Sequence, residues 1–177
     1  MRPLMNRRAA RVLSRLLPIG LLGLAALLGA GCTRQIGDSC KINYDCNITI
    51  TNAFCDLASP QGYCTIEGCD ATSCPDGAAC VRFFSLQRAN GTCDASHPCR
   101  AGERCLCDDE SCSKAYCASE ASERRWCMHR CNEDSDCREG YSCRASNQGG
   151  TVSATRRDAD GNPVAPVEHF CAPASGG

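Results

Sequence analysis

The chain has 177 residues, 19 of them Cys, 5% aromatic residues and a formal net charge of −1. From Cys32 onward, 146 residues carry only 16 Leu, Ile, Val or Phe, about 11%, where less than about 20% leaves too little apolar area to offset chain entropy. An ordinary hydrophobic core is excluded, and with it a Rossmann sheet, a TIM barrel and a helix bundle; the cysteines point to a small disulfide-rich fold.

In chain order, Arg2, Arg7, Arg8, Arg11 and Arg15 occur with no acidic neighbour and precede the apolar run from Leu16 to Ala30. A positive region followed by a short apolar stretch is the pattern of a secretory signal peptide, here 1–31. As a helix the run reaches only about 20 Å, short of a ~30 Å hydrocarbon core.

The segment Leu28-Gly29-Ala30-Gly31-Cys32 resembles the bacterial lipobox, with Leu one position earlier than usual. That resemblance implies a diacylglycerol thioether on Cys32, anchoring an exported protein in the membrane. Thr33 stands where an inner-membrane retention Asp would sit in enterobacteria, which by the same resemblance favours the outer membrane. Counting agrees: without Cys32, the remaining 18 cysteines can pair completely. Residues 32–39 then read as a tether; Thr33 to Ser39 span about 25 Å when extended. Loss of the signal leaves 14 Lys+Arg against 20 Asp+Glu, a net charge of about −6, so the basic footprint of a nucleic-acid partner is missing.

Three segments read C-x2-G-x2-C: Cys74 to Cys80, Cys99 to Cys105 and Cys137 to Cys143. Each has a cysteine five or six positions upstream, Cys69, Cys93 or Cys131. A Gly at a fixed place between two cysteines supplies a positive-φ turn. A degenerate copy starts at Cys40. The period of 25–38 residues predicts an array of short stapled modules.

The cysteines group as Cys40, Cys46, Cys55 and Cys64; Cys69, Cys74, Cys80 and Cys93; Cys99, Cys105, Cys107, Cys112, Cys117 and Cys127; and Cys131, Cys137, Cys143 and Cys171. The expected modules are 40–64, 65–93, 94–127 and 128–177. Within a four-cysteine group, first-to-third and second-to-fourth pairing is favoured among three possibilities. The aligned motif also assigns Cys93 to the third module, so either that boundary is shared or one bridge crosses modules.

The segment Cys131-Asn-Glu-Asp-Ser-Asp-Cys137-Arg-Glu-Gly-Tyr-Ser-Cys143 resembles the cysteine-rich pattern of Dickkopf N-terminal domains. It also resembles repeats in envelope lipoproteins of deltaproteobacteria. The likeness is close over about 13 residues and loose over about 100. It implies a small extracellular binding module.

Short strands are expected at Ile48–Thr51 and at Val81–Phe84. Thr151–Arg156 and Val164–Phe170, flanking Asp158–Asn162, predict a C-terminal β-hairpin. No C-x-x-C occurs, which removes zinc and thioredoxin-type motifs. The acidic runs Asp108–Glu110, Glu133–Asp136 and Asp158–Asp160 lack the EF-hand order and read as Asx-turns. His97, His129 and His169 fall in loop-like sequence outside any catalytic motif. No catalytic residue, metal ligand or cofactor site is expected. The functional expectation is a lipid-anchored, non-enzymatic binding or structural module of the cell envelope, with a protein or envelope-surface partner. The alternative is a protease-inhibitor or toxin-like scaffold presenting a loop at 81–92.

Overall fold

The computed structural model describes residues 33–88, 91–109, 111–154, 156–157, 163–164 and 166–174. The signal segment, Cys32 and the turn at 158–162 lie outside the described residues. The fold is small and disulfide-rich: among the described residues there is one short α-helix, α1 (Asn43–Asn47), with short strands in small antiparallel sheets and nine disulfides. Among the described residues, no helix is long and apolar enough to cross a membrane.

The strands are β1 (Phe54–Asp56), β2 (Tyr63–Thr65), β3 (Ala78–Phe83), β4 (Glu103–Cys107), β5 (Ala115–Ser119), β6 (Arg124–His129), β7 (Tyr141–Ala145), β8 (Thr151–Ser153), β9 (Arg156–Arg157), β10 (Pro163–Val164) and β11 (His169–Pro173). Four antiparallel pairs repeat one plan: β1 with β2, β3 with β6, β4 with β5, and β7 with β11. In each pair a third and a fourth cysteine face each other in register: Cys55 and Cys64, Cys80 and Cys127, Cys105 and Cys117, Cys143 and Cys171.

Facing cysteines do not bond to each other. The third bonds back to the first, giving Cys40–Cys55, Cys69–Cys80, Cys93–Cys105 and Cys131–Cys143. The fourth bonds to the second, giving Cys46–Cys64, Cys74–Cys127, Cys99–Cys117 and Cys137–Cys171. Each hairpin is thereby stapled to the loop that precedes it. Cys107–Cys112 is an additional bridge across the β4–β5 turn.

The favoured crossed pairing holds in the first and fourth groups and for Cys69–Cys80 in the second, and it extends to all four repeats once two cysteines are reassigned. Cys74 pairs with Cys127 rather than Cys93, because Cys93 opens the third repeat. The whole third repeat, 93–117, is inserted between β3 and β6, the two strands of the second. Short connections close β1–β2 (57–62) and β4–β5 (108–114), whereas β3–β6 and β7–β11 carry the long insertions 84–123 and 146–168.

The insertion in the fourth repeat also differs from the expected hairpin. Thr151–Ser153 pairs with β3, completing a three-stranded sheet ordered β6–β3–β8, and His169–Pro173 pairs with β7. Among the described residues, Arg156–Arg157 and Pro163–Val164 form the expected hairpin pairing. Ile48–Thr51 is turn rather than strand: it follows α1 directly, and Ile50 packs inward while Ile48 is exposed.

The loop before each hairpin is held by one side-chain oxygen. Asp45 Oδ2 accepts the N–H groups of Lys41 and Ile42, and Asp136 Oδ2 accepts those of Asn132 and Glu133. In the second repeat Ser73 Oγ accepts from Asp70 N. In the third, Asp94 Oδ1 accepts from the Ser96 hydroxyl, His97 N and Ser96 N, and these bonds, the hydroxyl's foremost, hold its carboxyl down at about 2. Asp109 and Asp134 likewise accept N–H groups, from Ser113 and Cys143. The Asp109 and Asp136 contacts cap loop N–H groups, as expected of two of the acidic runs, whereas the Asp134 bond reaches nine residues on; Asp158–Asp160 lies outside the described residues.

One core serves the first, second and fourth repeats. It gathers Ile36, Ile50, Tyr63, Val81, Met128, Tyr141 and Phe170 among the cystines. The third repeat stands apart from it, with Cys93, Ala118 and Phe84 buried separately. The expected tether is therefore shorter than its span: Ile36 is buried, Gly37 N–H donates to Cys64 O, and Cys64 N–H donates to Asp38 O.

Candidate functional site

All 18 cysteines from Cys40 to Cys171 are paired, and this many bridges belong to an oxidising, exported environment. The crossed pairing crowds sulfurs: the trios Cys40/Cys46/Cys55, Cys69/Cys74/Cys80, Cys93/Cys99/Cys117 and Cys131/Cys137/Cys171 each lie within 4.8 Å. Metal ligation needs thiolates, and each of these sulfurs is committed to a disulfide. The trios are the signature of two bridges packed side by side.

The three histidines fall on different segments. His97 is exposed beside Asp94; His129 lies in β6 and His169 in β11, so two of the three sit on strands rather than loops. His129 N–H donates to Tyr63 Oη at 2.9 Å.

An apolar hollow runs beside β6. Arg124, Trp126 and Met128 alternate along that strand and so share one face. With Phe83, Tyr63, Ala172 and Pro173 they line a cavity of about 350 Å³, edged by Asp56 and Ser59 of the first hairpin. Trp126 packs on Phe54 with ring centroids 5.6 Å apart, and Phe83 meets Phe170 edge-on at 5.9 Å. On the other side of Phe83 and Pro173 a second hollow of about 420 Å³ runs toward Arg144 and Gln148. Three repeats contribute to this surface.

Its walls are fixed by contacts between repeats. Thr65 Oγ1 donates to Cys127 O at 2.8 Å in a fully buried setting, and Cys127 N–H donates to Ile66 O. Tyr63 stacks on Tyr141 at 5.4 Å, and the Arg138 guanidinium lies 4.1 Å from the Tyr141 ring while donating to Pro60 O. Burial pushes the Tyr63 phenol well above its ordinary pKa, so it stays neutral.

From sequence alone, Phe83, Phe84, Tyr116 and Trp126 read as small packing cores of single modules or, where exposed, as anchors of an interface. Tyr63, Met128 and Pro173 carried no such signal by themselves. The alternation Arg124-x-Trp126-x-Met128 is the period-2 pattern that marks a strand face, and it points to Met128 but not to Tyr63 or Pro173. Compared with protein-family models, curated proteins and solved structures, the chain matches none of them.

Proposed function

We propose that this chain is a lipid-anchored cell-envelope protein that acts as a non-enzymatic binding module, with the Trp126–Phe83 groove as its contact surface. One observation carries the anchor: every cysteine after Cys32 has a partner, which leaves Cys32 as the odd sulfur at the end of a lipobox-like segment. Two acyl chains hold where one holds only weakly. Three residues separate Cys32 from buried Ile36, a reach of about 14 Å over four Cα steps. The folded body then works at the bilayer surface, and by the lipobox resemblance that surface is the outer membrane.

The binding reading rests on the groove, where aromatic and Met side chains offer apolar contact beside Arg124 and Asp56. A protein or envelope-surface partner presenting an apolar side chain fits it. The inhibitor reading is less well supported, because Val81 and Phe84 of the 81–92 segment are buried and 81–83 is the middle strand of a sheet.

Cys32→Ser is expected to leave an uncleaved or wrongly cleaved precursor and to move the protein from the detergent phase to the aqueous phase. A mature N-terminus that is unacylated, or that begins elsewhere than Cys32, sinks the anchor. For the groove, a photo-crosslinking residue at Arg124 in intact cells is expected to capture an envelope component, and Phe83→Ala is expected to abolish the adduct. An adduct unchanged by Phe83→Ala places the binding surface elsewhere.

A further inference from the structure

We propose that Cys107–Cys112 is a thiol–disulfide exchange site that takes two electrons from a dithiol while the other eight bridges stay closed. It is the one bridge outside the crossed frame. Every other bridge joins a hairpin to its preceding loop, whereas this one spans the turn of a single hairpin.

Four observations converge on it. Cys112 is exposed and its partner Cys107 is only half-buried; no other bridge pairs an exposed cysteine with one that is not buried. Cys112 sits at φ +51°, in the left-handed region that disfavours a residue with a side chain. A bridge between residues five apart restricts the unfolded chain least of the nine.

The turn, finally, is held without the bridge. The Asp109 carboxylate accepts the hydroxyls of Ser111 and Ser113 and the N–H of Ser113, Cys112 N–H donates to Asp109 O, and Asp108 N–H donates to Lys114 O. Opening the bridge leaves its two thiols facing each other, poised to close again.

The chemistry balances with a dithiol as the only co-reactant. One thiolate of the dithiol attacks exposed Cys112 Sγ; the S–S bond breaks, and Cys107 leaves as a thiolate and takes up a proton. The second thiol of the donor then attacks its own sulfur in the mixed disulfide. Cys112 is released as a thiol, and the donor departs oxidised.

The test uses the full mature chain, native and without denaturant, exposed to limiting dithiothreitol or to reduced glutathione, then alkylated and mapped by mass spectrometry. Cys107 and Cys112 are expected to label at least ~10-fold faster than any other cysteine, with glutathione found on Cys112 and the amide-exchange protection of β4 and β5 retained. Equal or earlier labelling of any other cysteine overturns the proposal, as does opening of all nine bridges together. The double variant Cys107→Ser/Cys112→Ser is expected to form the other eight bridges and to lose dithiol consumption under native conditions; persistent consumption also overturns it.

Discussion

The position three residues before each third cysteine has a positive φ in all four repeats: Gly77 at 78°, Gly102 at 82°, Gly140 at 82° and, in the degenerate first copy, Asn52 at 62°. A Cβ at any of the three glycines would meet nothing within 4 Å, so φ alone selects the residue. Gly140→Ala is expected to cost about 1–2 kcal/mol, read as a lower denaturation midpoint under non-reducing conditions, while Asn52→Gly holds or raises that midpoint. Asn is the usual substitute in this backbone region, so the hidden member of the repeat was legible once Asn was allowed to stand for Gly. Glu123 is the other telling residue. The Arg82 guanidinium, bidentate at 2.6 and 3.0 Å, and Arg125 beside it hold its carboxyl at about 2 against burial. A carboxyl whose folded pKa is depressed contributes stability present above its unfolded value of about 4.5, lost as pH falls toward 2. The stability advantage of the native chain over Glu123→Gln is therefore expected to be flat near neutrality and to vanish between those limits in an acid titration of the thermal midpoint.

At the scale of elements, the long connections arise because a β-hairpin tolerates an insertion at its turn while its cysteines keep the register. The nested third repeat is the clearest case. Arg82 and Arg104 each place a guanidinium 5.3 Å from the Phe84 ring, and Arg82–Glu123 ties the two chain crossings together at the base of the insertion. Replacing 85–122 with a two-residue Asn-Gly turn is expected to leave a folded body with six bridges and no free thiol, checked by peptide mapping. Free thiols at Cys74 and Cys127 would mean that the insertion sets the register. Cysteine spacing left three pairings open within a group, and it did not reveal which cysteine completes the second repeat: Cys93 comes next after Cys80 in sequence but is the first of its own repeat. Ile48–Thr51 alternates like a strand, yet it forms the turn that carries the chain from α1 to Asn52.

At the scale of the molecule, the sequence suggests modules that touch mainly their neighbours, whereas the first and fourth repeats share a core through Tyr63, Tyr141, Arg138 and Phe170. The Cys137–Cys171 bridge, closing 34 residues, restricts the unfolded chain by about 3–4 kcal/mol. Its removal by a double Ala replacement is expected to raise amide exchange in β1 and β2 as well as in β7 and β11, and to leave β4 and β5 protected. Unchanged protection of β1 and β2 would restore the picture of independent modules. The groove was illegible for the same reason: its residues come from three repeats, and no local pattern records which repeats meet.

The nesting of one repeat inside another also has a history in time. A chain exported from its N-terminus presents Cys74 long before Cys127, and Cys93 emerges between them. Oxidation in order of arrival joins the wrong neighbours, since eight of the nine native bridges skip over at least one cysteine. Maturation of this protein is then a matter of reshuffling more than of oxidation, on a scale of seconds to hours set by the oxidant and the isomerase at hand. A cell that oxidises thiols quickly but edits disulfides poorly is expected to accumulate it fully oxidised and misfolded.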